Sequence, residues 1–73
     1  TVDEVAQKRV QLIMQYIHEN YNHNLSLDEI ASHIGISKST ALNLFHRFLH
    51  TTPVNYLIGY RLQAASWLLK NYE

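Results

Sequence analysis

Apolar residues recur at three- and four-residue spacing along nearly all of this 73-residue chain, and three short polar breaks divide the pattern into four helices. The first is expected over residues 3–20, where Ala6, Val10, Ile13, Ile17 and Tyr21 fall on one face. Asp3 and Glu4 suit its start, and Asn20-Tyr21-Asn22-His23-Asn24 is a polar stop. A helix-turn-helix is expected over residues 26–50. Ser26 and Glu29 form the S-x-x-E capping box, with Leu25 and Ile30 placed as its hydrophobic staple. Leu27, Ile30, Ala31 and Ile34 then share a face, and Gly35 suits a left-handed stop. Ser37 can cap a second helix only two residues later. So short a joint favours a steep crossing over an antiparallel hairpin.

The second helix of this pair has two unlike faces. Ala41, Leu44, Phe45, Phe48 and Leu49 make an apolar stripe; Ser39, Asn43, His46, Arg47 and His50 lie opposite, with Leu42 on the flank. Small and hydrogen-bonding side chains near a helix start are what base reading requires. Asn can bridge the N6 and N7 of adenine, and Leu can touch a thymine methyl. Thr52-Pro53 opens the last helix, expected over 53–72, with Thr52 as cap and Pro53 in the first turn. That helix carries two apolar stripes: Leu57, Tyr60, Ala64 and Leu68 form one, and Ile58, Leu62, Ala65 and Leu69 the other. The upstream helices can cover one stripe only, so the second predicts a further partner, either another subunit or more chain. A start without Met and an end just after an apolar pattern suggest a piece of something longer.

Composition narrows the function. The chain is large enough for one small core, and two Gly and one Pro fit an all-α chain with short joints. No cysteine is present, which excludes disulfides and thiol chemistry. No apolar run is long enough to cross a membrane, and no signal peptide is visible. Six basic and six acidic residues give a formal charge of zero, which counts against strong non-specific binding of nucleic acid. Five histidines are a reserve of positive charge as pH falls toward about 6. No nucleophile elbow, phosphate-cradling glycine loop or HExxH motif occurs, so the chain reads as no enzyme and needs no cofactor. His46 and His50 stand one turn apart, but two ligands fall short of a zinc site, so no metal is expected. The alternative to DNA binding is a helical protein–protein interaction module that uses the two-faced last helix.

With these features in place, the chain resembles the DNA-binding region of the AraC/XylS family of bacterial transcription regulators. The matching stretches are YIHENYNHNLSLDEIASHIGIS, SKSTALNLFHRF and TPVNYLIGYRLQAASWLL, nearly the whole chain. The resemblance implies a four-helix, homeodomain-like helix-turn-helix subdomain that ends in a long linker helix, as the first part of a two-subdomain reader whose second subdomain is missing. It implies double-stranded DNA as the partner, base contacts from Ser39, Leu42 and Asn43, and a cytoplasmic location in a bacterium. Asn43 stands where the family often has Arg, and Leu42 where it often has a polar residue, which favours adenine or thymine edges over guanine. Lys38, Thr40, His46 and Arg47 are expected on phosphates, together with the helix start at Ser26. Arg61 is expected in a structural ion pair. A dimerising or sensing domain elsewhere and contact with RNA polymerase are further implications of the resemblance.

Overall fold

A computed structural model describes the backbone of residues 2–71 and the side chains of residues 2–67. Four helices follow one another: α1 (Val2–Asn20), α2 (Leu27–Ile34), α3 (Lys38–Leu49) and α4 (Pro53–Asn71). The described residues contain no strand. The expected all-α architecture is observed, with each helix end within a residue or so of its sequence signal. Tyr72 lies outside the described residues.

The local chemistry explains the boundaries. Glu29 N–H donates to Ser26 Oγ at 3.2 Å, which forms the amide half of the capping box. Leu25 and Ile30 both join the core, as a staple does. At the other end of α2, Gly35 takes φ 83° and ψ 30°. Its amide reaches Ser32 O, and the Ile36 amide reaches Ala31 O at 3.0 Å, the paired bonds of a Schellman stop. Thr40 N–H donates to Ser37 Oγ, so the cap of α3 lies two residues after the Gly35 stop of α2. Asn55 N–H donates to Thr52 Oγ1 at 3.1 Å, and Pro53 is fully buried at the start of α4. His50, not a glycine, closes α3 in the left-handed region at φ 56°.

The core lies where α1 crosses the helix pair. Val10, Ile13 and Ile17 of α1 meet Ile30 and Ala31 of α2, Ala41 and Phe45 of α3, and Leu57 of α4. Phe45 is completely buried and sets its ring edge-on to Tyr56, with centroids 5.6 Å apart. Tyr16 stacks on His33 at 4.1 Å and ties α1 to the end of α2. These contacts hold α2 and α3 from behind and leave the outer side of α3 uncovered. Leu49, expected in the apolar stripe of α3, is exposed instead. It is the last residue of α3, one turn beyond the buried Phe45, where no neighbouring helix covers it.

The two stripes of α4 part as its sequence predicts. Leu57 is 2 % exposed and sits in the core, whereas Ile58 and Leu62 on the other stripe are 49 % and 67 % exposed. The side chains of Leu68 and Leu69 lie outside the described residues. A polar and aromatic clasp fixes the inner stripe to α1. His18 Nε2 and the Tyr56 hydroxyl are 2.5 Å apart, and the His18 ring stacks on Tyr60. Arg61 donates from Nε to Tyr21 O at 2.8 Å and from Nη2 to His23 O at 2.6 Å. Its structural role is as expected, but its partners are backbone carbonyls of the α1–α2 connection. The polar stop after α1 leaves those carbonyls unpaired by any helix, and a guanidinium fork satisfies two at once.

Candidate nucleic-acid interface

The outer edge of α3 is where the sequence places chemistry for a nucleic acid. Ser39 and Asn43 are exposed, and Leu42 is 37 % exposed beside them. Ser39, Leu42 and Asn43 are spaced i, i+3 and i+4, so they form one patch on the first turns of α3. Among the described residues, no hydrogen-bonded partner holds the Asn43 amide away from solvent. Ala41 and Phe45 point the opposite way, into the core. The helix is thus clamped on one side and open on the other.

The five residues expected on phosphates fall into unlike settings. Ser26 Oγ is occupied as the cap of α2. Thr40 is half-buried and pairs its hydroxyl with Ser37 Oγ at 2.9 Å, in the first turn of α3. Lys38 Nζ lies 3.4 Å from Asp28 of α2. Arg47 donates from Nη2 to Asp3 of α1 at 2.7 Å, and its guanidinium carbon lies 5.1 Å from the centre of the Phe48 ring. His46 is exposed, with its ring edge-on to His50 at 6.3 Å. No group of three or more metal-binding side chains forms among the described residues. The structure therefore brings Ser39, Leu42, Asn43, Lys38 and Thr40 to one end of α3, while His46 and Arg47 sit one to two turns further along.

Sequence reasoning missed the two aspartates. Asp28 reads as a helix-dipole residue and Asp3 as a helix start, and both roles hold. Nothing local indicates that each also reaches a cation on α3. The signal that was available is the balance of charge: six acidic residues against six basic ones in so short a chain leave few cations without a possible partner. The Tyr56 phenol is perturbed. Burial, and then the neighbouring Tyr60, push it above the usual value near 10.

A short helix, a Gly-containing turn and a second helix with an open outer edge, braced by a third helix behind, define a helix-turn-helix protein. Comparison with known proteins agrees. The chain is 30% identical over 69 residues to the uncharacterized HTH-type transcriptional regulator YdeC of Bacillus subtilis, covering 94% of this chain and 24% of that protein. It is 27% identical over all 73 residues to the melibiose operon regulatory protein of Escherichia coli, 24% of whose length is matched. It is 35% identical over 52 residues to the XylDLEGF operon transcriptional activator of Pseudomonas putida, which covers 71% of this chain and 16% of that one. No family model matches the chain. No solved structure matches it significantly. The chain spans about a quarter or less of the length of these curated relatives. It is a relative of HTH-type transcriptional regulators, AraC-family ones among them, at low identity over most of its length.

Proposed function

We propose that this segment is the first helix-turn-helix subdomain and linker helix of an AraC/XylS-type DNA-binding region, and that it binds duplex DNA with α3 in the major groove. The observation that carries the reading is the exposure of Ser39, Leu42 and Asn43 on a helix whose other side buries Ala41 and Phe45 in the core. In this reading Asn43 takes an adenine edge, Leu42 a thymine methyl, and Ser39 either. Ser26, Lys38, Thr40, His46 and Arg47 face phosphates, which position the helix and carry no sequence information. The uncovered Ile58 and Leu62 stripe is the face that α4 turns toward further chain or a further subunit. The interaction-module alternative gains nothing from the comparisons, whose printed names are those of transcription regulators.

Other parts of the reading follow from the resemblance. They are a cytoplasmic setting in a bacterium, a dimerising or sensing domain elsewhere in the polypeptide, and contact with RNA polymerase at a promoter. The relatives' names speak against catalysis as the role of this segment, and no catalytic constellation is visible in its sequence. The test is binding to a pool of random duplexes followed by sequencing of the bound fraction. Asn43→Ala relaxes preference at one base pair with a loss of about 1–3 kcal/mol in discrimination, whereas Lys38→Ala weakens all sequences alike. Equal weakening of every sequence by Asn43→Ala removes that residue from base reading.

A further inference from the structure

Lys38 and Arg47 are the two cations of α3, and each is held by an aspartate from a different helix. Asp28, in the first turn of α2, lies 3.4 Å from Lys38 Nζ. Asp3, in the first turn of α1, lies 2.7 Å from Arg47 Nη2. Both pairs are open to water, with side-chain exposures of 57% and 73% for Lys38 and Asp28 and of 57% and 67% for Arg47 and Asp3. Pairs in such settings are weak and exchange freely, so they contribute little to the fold. What they change is the field along the outer side of α3. Lys38 adjoins Ser39 and stands one turn before Leu42, so the Asp28 carboxylate sits beside the residues proposed to face bases.

We propose that Asp28 and Asp3 act as internal substitutes for DNA phosphate: they hold Lys38 and Arg47 while no DNA is bound and keep the affinity of α3 for the DNA backbone low. This rests on the DNA-binding reading above. To reach a phosphate, each cation must leave its carboxylate. The freed carboxylate then recruits a cation from solution, which cancels part of the counterion release that drives binding. Two of the six basic residues are thus offset by carboxylates along α3 itself. The consequence is selectivity. Weak backbone binding lowers affinity for every sequence, and the base contacts then account for a larger share of the total.

The test is fluorescence anisotropy of a labelled random-sequence duplex, titrated with the chain at salt between about 50 and 200 mM. The variants are Asp28→Asn, Asp3→Asn and the two together, each checked for helix content by circular dichroism. Asn keeps the shape of the side chain and removes its charge. At the low-salt end each single variant binds about threefold tighter and the double variant about tenfold tighter. The log–log salt slope steepens by about 0.9 for each cation released. In a Lys38→Gln background the gain from Asp28→Asn falls below about twofold, because there is no ammonium left to release. Equal affinity and slope for the wild type and the aspartate variants overturn the inference, and so does a gain that survives undiminished beside Lys38→Gln. Absence of duplex binding by the wild type and all variants at low salt is a separate result, which overturns the DNA-binding reading on which the inference stands.

Discussion

Replacing Gly35 with Ala isolates the backbone conformation on which the turn between α2 and α3 depends. A Cβ built at Gly35 meets nothing within 4 Å, so no steric clash contributes. The cost comes from the backbone alone, because Gly35 sits at φ 83° and an L-residue there loses about 1–2 kcal/mol. Ala also restricts the unfolded chain, which returns about 0.4–1 kcal/mol. The balance is a destabilisation of about 1 kcal/mol, which in a domain of this size lowers Tm by about 4–8 °C. Thermal melts followed by far-ultraviolet circular dichroism measure it. Gly35→Asn should recover much of the loss, since Asn tolerates the left-handed region. His50→Gly supplies the opposite sign, because His50 already occupies that region at φ 56° as a non-glycine. A Gly35→Ala variant as stable as the wild type, or more so, would refute the left-handed stop and with it the geometry assigned to the turn.

The remaining predictions concern α4. Gly59 lies exposed inside the helix with open space around its Cβ position, so Gly59→Ala raises stability by about 0.5–1 kcal/mol, read as a higher urea midpoint. The raised pKa of Tyr56 means that the folded state holds this proton more tightly than the unfolded chain does. The stability linked to it is complete below pH 10 and is lost as pH rises through the folded value. Urea midpoints measured from pH 8 to pH 11 should therefore fall less steeply in Tyr56→Phe than in the wild type; parallel curves would remove Tyr56 as a cause.

Much of the fold was legible because its punctuation is local. Ser26, Gly35, Ser37 and Thr52 each act within four residues of their own position, and a pattern in sequence is enough to find them. The buried faces of α1 and α3 follow from spacing in the same way. Leu49 departs because periodicity gives the direction of a side chain around its helix and not whether a neighbour reaches that far along it. The site was legible in part. Exposure of Ser39, Leu42 and Asn43 follows from the helix phase once Ala41 and Phe45 are buried. The partners of Lys38, Arg47, Arg61 and His18 were not legible. Arg47 meets Asp3 across 44 residues, Arg61 meets Tyr21 across 40, and His18 meets Tyr56 across 38. Such pairs depend on how the helices cross, and no local signal encodes them. Arg61 illustrates the difference: its charge suggested a carboxylate, yet the polar stop after α1 offered carbonyls closer at hand.

The most direct measurement of the central claim is a map of backbone amide shifts during titration of the isotopically labelled chain with duplex DNA. The account predicts that the largest changes fall on Ser39, Leu42 and Asn43, with smaller ones at Lys38 and Thr40, while the core positions Ile13, Ile17 and Phe45 stay in place. Changes confined to Ile58 and Leu62 on the outer stripe of α4, with α3 silent, would contradict it.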